Sequence, residues 1–216
     1  MSKNRSTTQN MSPEEFQSRI GVSCETLSRL TVYAELLTKW QKRVNLISSD
    51  TLNDIWQRHM LDSAQLHDLI GGKPGTIGDL GSGAGFPGLV LAILGKKNIS
   101  LFESNGRKCS FLREVARQTA TNIEVKQGRI ENFPGDQQFD MITARALAPL
   151  NKLLDWSYPL LKNNGTCLFL KGENYEQELT ESIKKWNMSV KLHRSQTNPG
   201  GVVLAIGKIK PVNGNH

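Results

Sequence analysis

Aromatic residues, cysteines and long apolar runs are all scarce in this sequence. Phe, Trp and Tyr together make up 6% of the 216 residues, too few for the stacking surface of a protein that binds single-stranded nucleic acid by that means. The three cysteines, Cys24, Cys109 and Cys167, are odd in number and widely spaced. They predict neither a disulfide framework nor a C-x-x-C metal site, so we expect no bound metal and a reducing compartment.

The N-terminus lacks the features of a targeting segment. Its first ten residues are polar, with no apolar core region, and no later apolar run approaches the length that spans a membrane. We therefore expect a cytoplasmic protein without a membrane partner. The chain is long enough to bury the core of one α/β domain with a helical addition. No obvious apolar seam demands a dimer, so we expect a monomer.

Positive charge is in excess. The sequence has 27 Lys and Arg against 20 Asp and Glu, a net charge of +7 and a pI near 9.4. For a small protein this balance favours a polyanionic partner. The basic residues recur along the chain without a long run, so we expect many of them to lie on solvated helix faces.

Residues 12–72 predict a helical extension ahead of the main domain. Each of its helices begins at a serine that can accept hydrogen bonds from free backbone N–H groups. The capping positions are Ser12, Ser23 and Ser49-Asp50. In the second helix apolar residues recur every three or four positions as far as Trp40, and the third helix is predicted to run to Ile70.

The main domain, residues 73–210, alternates strands with helices. The predicted strands are Ile77–Leu80, Ile99–Glu103, Ile123–Lys126, Phe139–Ala144, Thr166–Lys171, Val190–His193 and Val202–Ile206. The predicted helices are Leu89–Leu94, Arg107–Thr119, Asn151–Lys162 and Glu173–Trp186. This alternation predicts an α/β fold with an open, mostly parallel seven-stranded sheet, helices on both faces and a hairpin-like return at the end. Residues 1–11 and 211–216 are expected to be disordered tails.

The segment Thr76 to Gly88, T-I-G-D-L-G-S-G-A-G-F-P-G, predicts a strand, a tight turn and the start of a helix. Its turn glycines Gly81, Gly83 and Gly85 can take positive φ and leave no Cβ in the way, so a ligand can lie against the backbone. Pro87 suits the first turn of the following helix, whose free N–H groups favour negative or polar ligand groups.

Two cofactor classes use such a turn. From Gly83 the letters match the dinucleotide pattern G-x-G-x-x-G, with Glu103 as a ribose-binding acid 20 residues further on. From Asp79 they match D-x-G-x-G-x-G, the pattern of class I S-adenosylmethionine (SAM) methyltransferases. An acid suits a cationic sulfonium ligand and would repel a pyrophosphate, so we favour SAM and a Rossmann-like class I fold. Asp79 can equally be a carboxylate that caps the turn.

Polar residues follow the ends of the other predicted strands, where ligands of such sheets bind. Glu103 ends the second strand and is placed for both hydroxyls of an adenosine ribose. Residues 128–133 follow the third strand and offer backbone groups, an acid and an amide to an adenine edge. Arg145 follows the buried fourth strand, where a cation needs a partner or a substrate because it loses hydration there.

A polar cluster in the extension has two interpretations. Arg58, His59, Asp62 and Ser63 lie close together in the predicted third helix, with Arg58 and Asp62 at i, i+4. The pair is either a surface ion pair beside core residues, or the helix packs over the glycine turn and lends side chains of the cluster to the site. The sequence alone leaves both interpretations open.

The residues after the fourth strand restrict the chemistry of a methyl acceptor. Nucleic-acid enzymes that methylate exocyclic amines carry an Asn/Asp-Pro-Pro-aromatic loop there, and C5-pyrimidine enzymes need a cysteine nucleophile. This chain has neither feature, since Cys109 and Cys167 are predicted to be structural. An acceptor with a free lone pair needs only positioning and charge, and Arg145 and Lys171 can hold a phosphate or a guanine edge.

Seven motifs, in order and at matching spacing, resemble one known family. They are N-L-I-S (45–48), R-H-M-L-D-S (58–63), D-L-G-S-G-A-G-F-P-G (79–88), E-S-N-G-R-K-C-S-F-L (103–112), G-R-I-E-N-F (128–133), A-R-A-L-A-P-L (144–150) and L-K-G (170–172). The set resembles the RsmG (GidB) family, bacterial methyltransferases of guanine N7 in 16S ribosomal RNA. The resemblance covers roughly residues 30–175. The family often has Arg or His where this chain has Pro199-Gly200-Gly201, so no basic RNA contact is expected there.

The resemblance implies partners and site residues. We expect SAM as cofactor, 16S ribosomal RNA or the small-subunit particle as partner, and no DNA partner. The motif that begins at Asp79 places Asp79, Gly83 and Gly85 at the cofactor. The further cofactor contacts that the resemblance implies are Gly81, Phe86, Glu103, Ile130, Glu131 and Arg145. Catalytic roles in the substrate pocket are implied for Arg129, Arg145 and Lys171, with support from Asn45, Arg58, His59, Asp62 and Ser63.

Three alternatives to this function remain. One is a nicotinamide-dependent oxidoreductase, which the dinucleotide pattern and Glu103 support although the sequence shows no evident proton donor. The second is a ribosome-binding or assembly module that kept the methyltransferase core without turnover. The third is a SAM enzyme whose acceptor is a protein or a small molecule.

Overall fold

The computed structural model describes residues 10–72 and 75–212, and the predicted tails lie almost entirely outside this range. Its α-helices are α1 (Pro13–Ile20), α2 (Cys24–Gln41), α3 (Asp62–Ala64), α4 (Leu66–Ile70), α5 (Gly88–Ile93), α6 (Gly106–Gln118), α7 (Leu150–Ser157) and α8 (Tyr175–Ser182). Its strands are β1 (Ile77–Leu80), β2 (Ile99–Glu103), β3 (Glu124–Gln127), β4 (Phe139–Arg145), β5 (Leu161–Lys171), β6 (Trp186–Arg194) and β7 (Val202–Pro211). Among these helices, none is both long and apolar enough to cross a bilayer.

The first two helices begin where the sequence predicts. The side chain of Ser12 accepts a hydrogen bond from the backbone N–H of Glu15, and the Glu15 carboxylate accepts from the Ser12 N–H in return. This reciprocal pair is the predicted capping box. Ser23 caps α2 through the N–H of Thr26 at 3.1 Å. One face of α2 is buried, through Leu30, Tyr33, Leu36 and Leu37.

The prediction that one continuous helix runs from Ser49-Asp50 to Ile70 is wrong. Residues Ser49–Asp54 are a 3₁₀-helix, Trp56–Leu61 are a π-helix, and α3 and α4 follow. No side-chain cap begins this segment, and Ser49-Asp50 lies inside its first turn. Three successive residues of the π turn, His59, Met60 and Leu61, are inaccessible to solvent or nearly so. Tertiary contacts account for the irregular backbone, since this turn brings His59 and Asp62 to Arg145 of β4, and π turns are frequent at functional sites.

The sheet has the strand order β3-β2-β1-β4-β5-β7-β6. Strands β1 to β5 are parallel, and β7 runs antiparallel to both β5 and β6. The predicted open, mostly parallel seven-stranded sheet with a final hairpin is therefore confirmed. Strand order reverses between β1 and β4, so the carboxyl ends of these two strands border a crevice.

The chain departs from the predicted elements around β5 and at the end of the domain. Strand β5 begins at Leu161, where the prediction had the end of a helix, and Asn163-Asn164-Gly165 forms a bulge inside the strand. The bulge is visible in the register, because Phe139 pairs with Leu161 but Met141 already pairs with Thr166. Strands β6 and β7 are longer than predicted, since Trp186 pairs with Pro211, one residue beyond the predicted domain end.

Helices cover both faces of the sheet. One hydrophobic cluster combines side chains of α1, α2, α5 and α6 with β1 and β2, and the other combines α7 with β4, β5 and β7. The helical extension therefore packs on the same face as the helix that follows the glycine turn. This packing brings residues 46–62 to the crevice at the carboxyl ends of the strands.

Candidate active site

The turn after β1 requires glycine at two positions for reasons of space. Gly81 has φ +63°, and a Cβ there would lie 2.3 Å from Cδ1 of Leu147. Gly85 has φ +100°, and a Cβ there would lie 2.7 Å from the hydroxyl of Tyr33. A side chain at either position would be strained and would displace its neighbour. Gly83, also at positive φ, has open space beside it, so the turn presents bare backbone to the crevice.

Asp79 lies beneath the turn and fixes it to the sheet. Its carboxylate is fully buried, accepts a hydrogen bond from the Thr143 hydroxyl at 2.7 Å and accepts another from the Gly88 N–H at 3.2 Å. Burial raises the pKa of Asp79 to about 6, although both hydrogen bonds act to lower it. The Asp79 side chain is inaccessible to solvent, so its predicted contact with a ligand stays a prediction. The hydrogen bond from the Gly88 N–H agrees with the alternative interpretation, in which the Asp79 carboxylate caps the turn.

Glu103 joins the end of β2 to the glycine turn. One carboxylate oxygen accepts a hydrogen bond from the Gly83 N–H at 2.9 Å, and the other accepts from the Asn105 N–H at 2.7 Å. The side chain is 8% exposed and lines the crevice. A carboxylate has about four acceptor sites, so each oxygen can accept one further hydrogen bond from a hydroxyl pair such as that of a ribose.

Phe86 is the centre of an aromatic stack that links the turn to the extension. Its ring stacks on Tyr33 at 5.3 Å and on His59 at 4.9 Å between centroids. The guanidinium carbon of Arg145 lies 4.9 Å from the same ring centroid, a cation–π contact. The Tyr33 hydroxyl donates a hydrogen bond to the carbonyl oxygen of Ala84. The extension therefore contacts the backbone of the glycine turn itself.

Arg145 has the partners that its position after a buried strand requires. Nη1 donates to the carbonyl oxygen of Arg58 at 2.9 Å and to Oδ2 of Asp62 at 3.3 Å, and Nη2 donates to Nδ1 of His59 at 2.8 Å. The arginine side chain and the Asp62 side chain are each 16% exposed. The interpretation of Arg58 and Asp62 as a surface ion pair is wrong, since in the described residues Asp62 pairs with Arg145.

His59 is neutral and has one defined tautomer. A guanidinium can only donate, so Nδ1 of His59, which accepts from Arg145, carries no proton. Nε2 therefore carries the proton and lies 2.9 Å from the Thr51 hydroxyl oxygen. Burial, together with the charges of Arg145 and Arg58, lowers the pKa of His59 to about 3. The imidazole consequently acts as a hydrogen-bond acceptor for the arginine over the whole physiological pH range.

Lys171, at the end of β5, is held by two groups. Its ammonium lies 2.6 Å from Oε2 of Glu178 and donates to the carbonyl oxygen of Ala148 at 3.0 Å. Glu178 also accepts from the Leu150 N–H. These contacts tie β5 to α7 and α8, and Lys171 still lines the crevice with a side chain that is 10% exposed.

These groups surround one cavity of about 770 Å³, within the range of ~300–1,000 Å³ found for small-molecule sites. At one end lie the glycine turn, Glu103 and Ile130, and at the other lie Arg145, Lys171 and the β6–β7 connection. Its charged lining balances four basic and four acidic side chains: Arg58, Lys108, Arg145, Lys171, Asp62, Glu103, Glu173 and Glu178. Within the described residues no cluster of His, Cys, Asp and Glu is suited to a metal ion.

Several predicted site residues lie outside this cavity. Arg129, Glu131 and Asn45 are exposed and are not among its lining residues. Glu131 belongs to a short 3₁₀ turn in which only Ile130 faces the cavity. Ser63 is fully buried and its hydroxyl has no partner in the described residues, while Gly85 packs on the extension. Asn45 and Ser63 were predicted to support the pocket and not to contact a ligand. The roles of all these residues stay predictions, because motif proximity does not fix which way a side chain faces.

Sequence reasoning missed the contribution of two loops. Ser48 and Thr51 from the extension line the cavity, as do Ser195, Thr197 and Asn198 from the β6–β7 connection. Ser48 belongs to the N-L-I-S motif, and the signal for the β6–β7 connection was Gly200-Gly201. A Cβ at Gly200 would lie 2.5 Å from Cγ of Glu173, and one at Gly201 would lie 3.2 Å from the Lys171 carbonyl oxygen. The two glycines thus allow the loop to approach the end of β5.

A comparison with known families identifies the group to which this arrangement belongs. Residues 26–200 match the family described as GidB, rRNA small subunit methyltransferase G. The chain belongs to this family. Its similarity to GidB proteins was already predicted from the seven motifs, and the family match confirms that prediction.

Individual members of the GidB family are similar over nearly their whole length. "Ribosomal RNA small subunit methyltransferase G" of Paramagnetospirillum magneticum is 53% identical over 199 residues, which cover 92% of this chain and 97% of that protein. The protein of the same name from Rhodospirillum rubrum is 47% identical over 199 residues, with 92% and 98% covered. The predicted enzyme class, a SAM-dependent methyltransferase, is confirmed with the family.

Solved structures support the fold of this GidB chain. A TehB-like SAM-dependent methyltransferase from Corynebacterium glutamicum has a TM-score of 0.57 at 17% identity, with 81% of this chain and 98% of that chain covered. The ribosomal protein L11 methylase from Lactobacillus delbrueckii subsp. bulgaricus has a TM-score of 0.54 at 22% identity, with 67% and 75% covered. The class I fold is confirmed, and none of these similarities supports a nicotinamide enzyme.

Proposed function

We propose that this protein transfers the methyl group of SAM to N7 of a guanine in 16S ribosomal RNA. The observation that carries the proposal is the continuity of one cavity. It joins the bare backbone of the glycine turn and the Glu103 carboxylate to the two cations Arg145 and Lys171. A methyl donor at the first end and a nucleic-acid base at the second would therefore meet within a single cleft.

The residues at the first end fit SAM. SAM supplies an activated methyl group when it is bound there. The turn backbone at Gly83 leaves room for close approach, since no atom lies near the position of a Cβ there other than the Gly81 carbonyl oxygen at 3.8 Å. Glu103 keeps acceptor sites for the ribose hydroxyls, and Ile130 and Phe102 offer apolar surface for the adenine. Phe86 closes this end towards the extension.

The second end suits an acceptor atom with a free lone pair. The end of β4 and the residues that follow it read Ala144-Arg145-Ala146-Leu147, without the proline loop of exocyclic-amine enzymes. No cysteine lines the cavity in the described part of the chain, and Cys109 and Cys167 are buried elsewhere. Guanine N7 needs no deprotonation before it attacks a methyl carbon, so the protein has only to position it.

Arg145 is the residue that we assign to this positioning. Its fork of N–H donors is fixed by the extension on one side, and its ring contact with Phe86 places it directly beside the cofactor end. A guanidinium recognises guanine O6 or a backbone phosphate through paired hydrogen bonds. Lys171 adds a second cation at the end of the next strand. Arg129, exposed on the same edge of the sheet, is assigned to RNA phosphates outside the cavity.

The partner and the location follow from this substrate. The chain carries an excess of positive charge, which suits 16S ribosomal RNA either free or in the small-subunit particle. An enzyme with this substrate acts in the cytoplasm. We propose a monomer as the active form, because a single chain brings the glycine turn, Glu103, Arg145 and Lys171 together at one cavity. Analytical ultracentrifugation at assay concentrations tests that assignment.

The proposal is tested by mass mapping of small-subunit RNA from cells with and without this chain. We expect one guanine to lose its N7 methyl group when the chain is absent and to regain it when the chain is restored. An unchanged methyl pattern would contradict the proposal and would favour an assembly module without turnover.

The same cells give a test of Arg145. Arg145→Ala should lower methylation by roughly 10²-fold or more, because no neighbouring group replaces its donors, while circular dichroism shows the fold retained. Arg117→Ala is the matched control, since Arg117 is an exposed arginine whose guanidinium pairs with Glu114 at 2.9 Å on α6, away from the cavity. Full activity of the Arg145 variant would remove it from the site.

A further inference from the structure

Two threonine hydroxyls complete the hydrogen bonds around Arg145, one on each side. Thr51 lies 2.9 Å from Nε2 of His59, and Thr197 donates to Oδ1 of Asp62 at 2.5 Å. His59 and Asp62 are the two side chains that hold the guanidinium. The threonines come from separate parts of the chain, the 3₁₀ turn of the extension and the β6–β7 connection, and both line the cavity.

The direction of each hydrogen bond on the Thr51 side is determined. The Thr51 hydroxyl donates to the carbonyl oxygen of Ser48 at 2.9 Å, so its oxygen is free to accept. It therefore accepts the proton on Nε2 of His59. A histidine that donates from Nε2 has an unprotonated Nδ1, which is the atom that accepts from Arg145. The threonine hydroxyl thereby stabilises the same tautomer that the arginine requires.

The Thr197 side fixes the other acceptor. Oδ1 of Asp62 accepts from Thr197 and from the Gln65 amide at 2.9 Å, which orients the carboxylate so that Oδ2 points to Arg145. Thr197 is itself held, because its backbone N–H donates to the Ser195 hydroxyl at 3.2 Å. The Gln196 N–H donates to Gln65 at 3.1 Å, a second link between the same loop and the extension.

We propose that Thr51 and Thr197 are positioning residues for the transfer reaction, acting on Arg145 through His59 and Asp62. Neither residue touches the reacting atoms. Thr51 accepts from the imidazole and holds the ring in place, and Thr197 donates to the carboxylate and sets its orientation. The inference rests on the proposed function, in which Arg145 holds the acceptor, and it adds the two residues that keep its guanidinium in place.

The test uses the full-length chain, SAM and small-subunit RNA. Thr51→Val and Thr197→Val keep the shape and remove the hydroxyl. We expect each to lower kcat by about three- to tenfold, the effect of one lost hydrogen bond, while calorimetry shows an unchanged Kd for SAM. Thr51→Ser and Thr197→Ser should restore activity. Thr38→Val is the matched control, because its hydroxyl bonds only to the Ala34 carbonyl of its own helix.

A spectroscopic readout separates positioning from a general structural effect. Nitrogen-15 spectra of the histidines should show His59 protonated only on Nε2 in the wild type, and should show a shifted Nε2 signal in Thr51→Val, where this N–H loses its acceptor. A His59 protonated on Nδ1 in the wild type would overturn the Thr51 role even if the variant did not fold. Equal kcat for wild type and both valine variants would overturn the whole inference. An inactive wild type would instead contradict the proposed function.

Discussion

Arg145 is a cation at the end of a buried strand, and four contacts compensate for the hydration that it loses there. They are the Arg58 carbonyl, the Asp62 carboxylate, the neutral His59 ring and the face of Phe86. An arginine suits this position better than a lysine would, because its planar fork of donors meets several acceptors at once. The same residue therefore links the folding of the extension to the assembly of the cavity.

His59 gives a prediction about stability and pH. Its pKa falls from its usual 6.5 to about 3 in the folded protein. The contribution of neutral His59 to the free energy of unfolding is therefore complete above pH 6.5 and is lost as the pH falls towards 3. The free energy of unfolding of the wild type minus that of His59→Asn should therefore decrease on acidification, by at most about 1.4 kcal/mol per pH unit. Denaturant unfolding at several pH values measures it.

The wild type is compared with the His59 variant because Asp79 changes the stability of the protein with pH in the opposite direction. Its pKa rises from 3.8 to about 6, so its favourable contribution is present below pH 3.8 and is lost as the pH rises through 6. The two effects overlap between pH 4 and 6 and partly cancel in the wild type alone. A difference between the two proteins that stays constant over this range would contradict the assigned environment of His59.

For single residues, the sequence predicted that Arg145 has partners but did not identify them. Cation burial after a strand is a general argument, and it led to the right residue. The identity of the partners depends on the π turn at Trp56–Leu61, which places His59 and Asp62 towards β4. A spacing of 3.6 residues per turn allowed a pair of Asp62 with Arg58, one of the two interpretations that the sequence left open. Thr51 and Thr197, whose hydroxyls bond to these partners, belong to no sequence motif and could not be predicted.

The glycine turn is the element on which cofactor binding depends, and Gly81→Ala tests it. We expect this variant to lose measurable SAM binding, because the new Cβ would displace Leu147 and deform the turn. Gly21→Ala is the matched control, since Gly21 has a similar φ of +74° but no atom within 4 Å of its Cβ position. Both should lose stability through left-handed strain, about 1 kcal/mol or more. Calorimetry with SAM separates them, and normal binding by Gly81→Ala would contradict the assignment.

The contact between α2 and the turn gives a second prediction. Tyr33→Phe removes the hydroxyl that donates to the buried Ala84 carbonyl, and an unsatisfied buried acceptor costs roughly 1–3 kcal/mol. We expect the free energy of unfolding to fall by that amount and SAM affinity to fall with it, because the turn loses its support. Tyr175→Phe is the control, since its hydroxyl meets only the exposed Glu176. Equal stability of the two variants would contradict a role of the Tyr33 hydroxyl in supporting the glycine turn.

The regular elements were predictable because alternating strand and helix periods are strong signals. Strand β1, the glycine turn and the caps of α1 and α2 lie where the sequence placed them. The errors concern irregular backbone, namely the 3₁₀ and π turns at 49–61 and the bulge at Asn163-Asn164-Gly165. Such features arise from tertiary packing and strand register, which no local pattern reports.

The whole molecule carries a net charge of +7, and RNA affinity should therefore fall steeply as salt rises from about 50 to 200 mM. Arg129→Ala should weaken binding and lower the slope of log affinity against log salt by roughly 1. Arg117→Ala, whose guanidinium is already paired with Glu114, should change the slope less. Fluorescence anisotropy with small-subunit RNA gives these slopes. An affinity independent of salt would contradict a phosphate-led interface.

The fold class and family were accessible from the sequence because they rest on many weak signals that agree across the chain. The cavity was less accessible, since it is assembled from the extension, five strand ends and the β6–β7 connection. Chemistry-bearing residues in its walls are separated by more than a hundred positions, as Asp62 and Thr197 are. Only the folded chain shows which of them share one space.

The most direct test of the account is methyl transfer by the purified chain with SAM and small-subunit RNA or particles, followed by nucleoside mass spectrometry. The account predicts N7-methylguanosine at a single position, formed in proportion to enzyme turnover and abolished by Arg145→Ala. Methylation at another atom, or no transfer from SAM bound at the glycine turn to either form of the RNA, would contradict it.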